Sequence, residues 1–481
     1  MRDAAATLTL WRPYLHRPAF EAGAANLAHY LALRRQDLGT LQQDLSFWGV
    51  SSLGRSESRV LPSLDAVAAT LAAIAGEPAP VSWPAPEHFL RGRDDLQSQK
   101  RLVFGADAEG PYTRIMVTLP AEAATRPELC DQLIEAGADC ARINCAHDGP
   151  DTWRRMAANV RAAAKARQRD CRILMDLGGP KLRIEDVFAE GSGFGKGGVR
   201  LAVGDRFLLT GDEHAESEHP VAVCSDPEVM MQLTLGASVW VDDGKLGTTV
   251  ESLGPEGAVL RVTSARDKGE KLRAAKGLNF PDTEIDLPAL TAKDVADLDV
   301  IVEHADMVGY SFVQHAGDVF RLQEELARRG RSDMPLVLKI ETRIAAANLP
   351  RLIVAAAGRQ PTAVMLARGD LAVELGFKRL AEMQEQILWL CEAAHVPVIW
   401  ATQVLERLVK KGTPARGETT DAAMSQRAEC VMLNKGPHLV EGVRFLDDIL
   451  HRMDRHQTKK TPRLGPLRSW QAEQRLDGRN A

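Results

Sequence analysis

Eight short apolar runs recur in the second and larger part of the chain, at 114–119, 140–144, 172–176, 306–312, 336–340, 363–367, 397–401 and 430–434. A strand covered on both faces reads as a nearly continuous hydrophobic run, whereas a half-exposed strand alternates, so these runs point to a parallel sheet wrapped by helices. Segments with helical periodicity fill most of the gaps, among them 127–136, 152–166, 316–328 and 383–394. Eight strand-then-helix units predict an α/β fold, a (β/α)8 TIM barrel with its site at the C-terminal ends of the strands.

One interval breaks this rhythm. About a hundred residues separate the third run from the helical pattern near Thr291, far more than a strand-to-helix loop needs. Within 184–281, β-like stretches at 199–203, 206–210, 238–241, 247–252 and 258–263 alternate with Gly, Asp and Pro turns. This predicts an inserted small antiparallel β-barrel, placed where it can serve as a lid domain.

The residues before the barrel have a different character. Leu27, Leu31, Leu38, Leu41 and Leu45, then Leu64, Val67, Leu71 and Ile74, recur at helical spacing and stop at Gly76, before a Pro-rich stretch over 77–86. The expected division is an N-terminal helical extension and linker over 1–110, the barrel over 111–183 and 282–455 around the lid at 184–281, and a tail at 456–481. The basic residues Lys459, Lys460, Arg463 and Arg468 make that tail a solvated, flexible end in this reading.

Composition bounds the function. The net charge is −5 over 481 residues, without a basic stripe ahead of the tail, which argues against partners such as nucleic acid or an anionic membrane. The first twenty residues lack a continuous apolar core, and no later run is expected to span a bilayer, so the reading is cytoplasmic. Seven scattered cysteines without paired short spacings read as free thiols.

The strand ends carry the chemistry. Glu341 and Asp370 are carboxylates at the tips of successive runs, hard oxygen donors of the kind magnesium prefers; either alone would be a salt bridge or cap, but two beside a strand-end lysine favour a metal. Lys339 interrupts an apolar run and must be paired or face a site, which suits an anionic substrate. Arg142, Asn144, Arg183 and Arg368 offer donors for phosphate or carboxylate oxygens, with a structural ion pair as an equal reading for Arg368. Gly369 and Asp370 open a helix whose N–H groups could meet a carboxylate. The Thr402 hydroxyl either orients a proton-carrying water or caps a helix. A metal, several cations and no nucleophilic triad describe phosphoryl transfer.

From about residue 114 to 453 the chain resembles the pyruvate kinase family. The motifs that carry this are Ala141-Arg142-Ile143-Asn144-Cys145-Ala146-His147, Met175-Asp176 to Arg183, Val241-Asp242-Asp243-Gly244, Lys276-Gly277-Leu278-Asn279-Phe280-Pro281, Asp286-Leu287-Pro288-Ala289-Leu290, Lys339-Ile340-Glu341, Ala367-Arg368-Gly369-Asp370-Leu371 and Ala401-Thr402-Gln403. The resemblance implies a barrel with a mobile lid, cytoplasmic glycolytic chemistry, and transfer of a phosphoryl group from phosphoenolpyruvate to ADP, giving pyruvate and ATP. It further implies Mg2+ or Mn2+ on Glu341 and Asp370, with Lys339 and Arg142 on the transferring group. Asn144, His147, Arg183 and Lys276 would face the nucleotide phosphates, Gly369 and Asp370 the substrate carboxylate, and Thr402 the protonated carbon.

The departures are specific. Where the family commonly has Ser, Thr and Glu near its potassium site, this chain has Ala146, Leu177 and Lys181, so the Lys181 ammonium is expected to replace the monovalent cation and make potassium unnecessary; the other reading is an exposed lysine. Gly178, Gln314, Thr342 and Asn434-Lys435-Gly436 also differ from the family pattern. The family's C-terminal effector domain is expected to be missing, and the N-terminal helices are expected to cover the barrel or to mediate homo-oligomer formation. Two other functions stay open at this point, a metal-dependent pyruvate or enolate lyase and a non-catalytic regulator that binds phosphoenolpyruvate or nucleotide.

Overall fold

In a computed structural model of the chain, residues 2–106, 110–188, 198–285 and 287–463 are described; Asp286 of the motif above and the tail from 464 onward, including Arg468, lie outside them. The eight apolar runs all form strands: Arg114–Thr118, Cys140–Asn144, Arg172–Asp176, Met307–Tyr310, Leu336–Ile340, Thr362–Ala367, Val398–Ala401 and Cys430–Leu433. They pair in parallel, each with its sequence neighbours, and the last closes on the first through Arg114 opposite Cys430. The fold is the α/β barrel expected. Its outer ring comes from amphipathic helices such as Pro150–Ala166, whose Trp153, Met156 and Val160 are buried against the strands while the opposite face stays exposed.

Inside the barrel, Met116, Cys140, Leu174, Met307, Val337 and Cys430 form an apolar layer with Val103 and Phe104, the last residues of the helix Pro86–Phe104. Cys140, Met307 and Cys430 are the first residues of their strands, so Phe104 fills the floor of the barrel, opposite the end that bears the chemistry. That helix ends at Gly105, where φ of +90° turns the chain out toward the first strand.

The rest of the extension lies on the barrel's outer helices. The Asn26 amide donates to the carbonyls of Glu57, at 2.6 Å, and Ala393, at 2.8 Å, and its oxygen accepts from the Val60 N–H at 2.8 Å. One amide thereby holds two extension helices, Pro18–Leu33 and Val60–Ala75, against the barrel helix Phe377–Ala393. Close approach is possible because Gly92 sits under the Ser58 carbonyl and the His395 ring, where any Cβ would collide.

The insert is a seven-stranded sheet in the order Leu278–Asn279, Ser238–Val241, Leu246–Gly254, Gly257–Ser264, Arg206–Thr210, Val221–Cys224 and Ile184–Phe188. Ala258, Leu260 and Val262 alternate inward along Gly257–Ser264 and pack with Phe207, Leu209 and Val239. The sheet is antiparallel except where Arg206–Thr210 runs parallel to Val221–Cys224, a pairing across a loop that strand alternation alone does not reveal. Its edges are drawn together by hydrogen bonds from the Ile184 N–H to the Lys276 carbonyl, 2.8 Å, and from the Leu278 N–H to the Leu182 carbonyl, 2.9 Å.

Two expectations need correction. The helical stretch Glu57–Ala75 is by length and composition long and apolar enough to span a membrane, although no such run was expected; here it contributes Val60 and Val67 to packing, and Glu57 pairs with Lys460. The basic end is not wholly solvated either. Residues 457–462 form a small hairpin, and the Lys459 ammonium reaches the Glu429 carboxylate at 2.6 Å and the Arg427 carbonyl at 3.0 Å. Glu429 is fully buried, and an acid there requires a cation brought to it.

Candidate active site

The strand ends gather one continuous ionic network. Asp176 ends the third barrel strand without solvent exposure and accepts from Arg142 Nε at 2.9 Å and Nη2 at 2.5 Å, while Lys339 Nζ stands 3.3 Å away. Lys339 also lies 3.1 Å from Glu341 Oε1 and donates to Ser311 Oγ at 2.6 Å. Glu341 Oε2 in turn accepts the Phe312 N–H at 2.7 Å. Burying these charges singly would cost far more than the fold can supply, so each is fixed by the others.

The titration of the network follows from that packing. Burial opposes the Lys339 charge, but Asp176 and Glu341 outweigh it and hold the ammonium above the usual lysine range. Burial likewise works against the Asp176 charge, and Lys339 with Arg142 reverses the effect, leaving its carboxyl below the usual range. Glu341 is displaced upward by burial, with Asp370 adding to the effect and Lys339 opposing it.

Asp370 is the third residue of the helix Arg368–Leu375, and its Oδ1 accepts from Lys181 Nζ at 2.7 Å. Lys181 is mostly buried and lies 3.8 Å from Asp243 in the insert. Burial disfavours its charge, yet Asp370, Asp243 and Glu341 raise its pKa above the usual lysine value. Lys181 therefore faces the site.

Gly369 donates its N–H to Thr402 Oγ1 at 2.7 Å. Thr402 holds a left-handed φ of +65°, and Gln403 follows at +56°, a conformation costly for a β-branched side chain and concentrated where sites are built. Thr402 does not cap the helix that follows it, Glu406–Lys411, which has Leu405 before it; its hydroxyl instead takes an N–H in the first turn of the helix Arg368–Leu375. Arg368 resolves to its structural reading: it pairs with Asp421, donates to the carbonyls of Ala401 and Thr402, and lies over the Trp400 ring.

The insert brings its own charges to the same end. Lys276 Nζ lies 2.7 Å from Asp242 Oδ1, and Lys245 holds the other oxygen at 3.0 Å. Asp242, Asp243 and Gly244 all have positive φ, which forms a tight turn whose tip reaches Val373 on the Asp370 helix. Across from it, the Asn144 side chain accepts the Ala146 N–H at 3.2 Å, and Arg183 Nη1 donates to the Ala275 carbonyl at 3.4 Å. His147 is exposed, and burial of part of its ring together with Lys435 and Arg183 lowers its pKa.

Between insert and barrel lies a cavity of about 110 Å³ lined by Asn279, Phe280, Phe312, Arg343 and Glu374. The Glu374 carboxyl accepts from the Arg343 backbone N–H and the Asn279 side chain, and burial pushes it up to about 7. Three elements meet there: the insert strand Leu278–Asn279 and the helices Arg343–Ala357 and Arg368–Leu375.

Among the described residues no group of three His, Cys, Asp or Glu side chains forms a ready metal cage. Glu341 and Asp370 are nevertheless close enough to interact electrostatically. Two carboxylates, with the remaining positions left to substrate oxygens and water, is how proteins hold magnesium, so the donor set fits that ion. Asp176, Ser311, Asp243, Lys435 and Glu374 join the residues read from the sequence. Asp176 carried the same signal as Lys339, a charge at the end of an apolar run, whereas Ser311 and Glu374 carried none.

The family model for the barrel domain of pyruvate kinase matches residues 111–437. Human "Pyruvate kinase PKLR" is 31% identical over 352 residues, covering 69% of this chain and 58% of that protein. The Geobacillus stearothermophilus "Pyruvate kinase" is 30% identical over 349 residues, 71% of this chain and 57% of the relative, and the Mycobacterium tuberculosis H37Rv protein of that name is 30% identical over 356 residues, 73% and 71%. The chain thus spans little more than half the length of the first two.

Proposed function

The chain belongs to the pyruvate kinase family, and from that premise we propose that it transfers the phosphoryl group of phosphoenolpyruvate to ADP, yielding ATP and pyruvate. The observation that carries this reading is Lys339, a buried ammonium held between Asp176 and Glu341 with the Arg142 guanidinium on the same Asp176. Two fixed cations side by side are preorganised for a phosphoryl group whose charge spreads over its oxygens in the transition state.

In the proposed reaction the phosphorus–oxygen bond to the enol oxygen breaks as one to the terminal phosphate oxygen of ADP forms. Arg142 and Lys339 stabilise the transferring group. Glu341 and Asp370 would hold Mg2+, or Mn2+, which when bound would supply positive charge to neutralise the transferring phosphoryl group. The substrate carboxylate meets the N–H groups of Gly369 and Asp370, taking over the Gly369 donor now given to Thr402. Freed, the Thr402 hydroxyl orients the water that protonates the enolate carbon. Asn144, His147, Arg183 and Lys276 meet the nucleotide phosphates, and the insert closes as a lid that excludes water. Lys181 takes the place of a monovalent cation, a role supported by its proximity to Asp370 and Glu341. Seven buried free thiols are in keeping with a cytoplasmic setting.

The test is pyruvate production from phosphoenolpyruvate, ADP and magnesium, with Lys339→Met in parallel. Turnover in the parent chain that the substitution removes supports the kinase, and substrate binding without turnover in the parent chain replaces it with the regulator.

A further inference from the structure

The extension contains a second built cavity, far from the barrel's strand ends in sequence and outside the residues that match the family. It measures about 390 Å³, within the range of small-molecule sites, and lies between the segment 49–56, the helix Val60–Ala75, Phe89 of the following long helix and Thr461 of the C-terminal hairpin. Two of its lining side chains are arginines, Arg55 and Arg59, and none is a carboxylate.

Neither arginine forms an ion pair among the described residues. Arg59 stacks on the Phe89 ring with its guanidinium carbon 4.3 Å from the centroid, and its Nε is buried without a hydrogen-bond acceptor. Burial depresses its pKa, with Glu392 and Glu57 offsetting this only in part; Glu57 is itself engaged by Lys460. Arg55 is exposed at the cavity mouth and forms no ion pair among the described residues. Ser63 is 6% exposed, and its hydroxyl makes no hydrogen bond among the described residues. Ser51 and Thr70 add further hydroxyls to the wall.

A buried guanidinium nitrogen without an acceptor is costly, and the Ser63 hydroxyl beside it stands free to meet a ligand oxygen. One kind of ligand satisfies all three groups: a compact anion with several acceptor oxygens, attached to a small polar body. We propose that this cavity binds a phosphate monoester, its oxygens taken by Arg55, Arg59 and Ser63 and its hydroxyl-bearing body by Ser51 and Thr70. Guanidinium forks match phosphate geometry, and two of them suit a dianion better than a single carboxylate. Because Thr461 closes one side, the bound ester ties the extension to the C-terminal hairpin.

The experiment is hydrogen-exchange mass spectrometry on the full chain with glycerol 3-phosphate as the probe, against glycerol and potassium chloride at matched ionic strength. Exchange across residues 49–70 should slow saturably with the ester and with neither control. Arg55→Gln, an exposed change that leaves packing intact, should raise the half-saturating concentration about tenfold, the loss of one charged hydrogen bond. Arg59→Gln should abolish protection there while any protection over 339–342, from phosphate in the barrel site, persists. Protection confined to the barrel strand ends, or protection over 49–70 that is the same in both variants as in the parent chain, overturns the proposal.

Discussion

The Lys181 ammonium lies 2.7 Å from the Asp370 carboxylate and 3.8 Å from Asp243, so one side chain joins a barrel acid to the tip of the inserted sheet. A fixed positive charge at that point has a direct consequence for ion dependence. Initial rates should be equal in potassium and in tetramethylammonium buffers at the same ionic strength. Lys181→Gln should lower the rate and make the remainder respond to potassium. Strong potassium activation of the unmodified chain would dismiss this role for Lys181.

Lys339→Met removes the cation that Asp176 and Glu341 share. We expect kcat to fall about a hundred- to a thousandfold, the effect of deleting one preorganised transition-state contact. Asp176 keeps Arg142, so the fold should survive, which circular dichroism would verify alongside the steady-state assay.

Glu374 gives a pH dependence with a definite sign. Its folded pKa of about 7 stands above the usual glutamate value because burial near Asp370 penalises the charge more than Arg343 and Asn279 relieve it. A raised acid favours the folded state fully at pH below the usual glutamate value, and that contribution is lost as pH climbs through about 7. Glu374→Gln stays neutral throughout. Its melting temperature should match the parent near pH 5 and exceed it at pH 8; a constant difference across that range would remove Glu374 as the titrating group.

Phe104→Ala should open a void in the barrel floor, where Phe104 is 1% exposed among strand residues. Large aromatic-to-alanine changes in cores cost about 3–5 kcal/mol. Urea unfolding followed by tryptophan fluorescence should show a correspondingly lower midpoint, with activity of the folded fraction retained because the site lies at the other end of the strands.

The barrel was legible in the sequence because a strand buried on both faces leaves a short apolar run, and eight such runs spaced by helical patterns all became strands. Lys339, Glu341, Arg142 and Asp370 were legible for the same reason, as charges where such runs stop. Ser311 was not, since a serine beside a strand is chemically unremarkable until the Lys339 nitrogen is found 2.6 Å from it. Lys459 misled because its partner Glu429 is thirty residues away in sequence, and a lysine in a polar end reads as solvated whichever way it points. Phe104 carried no sign of its destination: its socket is assembled from strands that begin ten residues later and end near residue 433.

That last arrangement bears on how the molecule is made. During synthesis the extension emerges before the barrel, yet the walls around Phe104 come from every barrel strand, including the last, Cys430–Leu433. Docking of the helix Pro86–Phe104 must therefore await the last barrel strand, and until then Val103 and Phe104 present an uncovered apolar end to the nascent surroundings. The barrel is completed by a segment that precedes it, returning to close the vessel that later residues build.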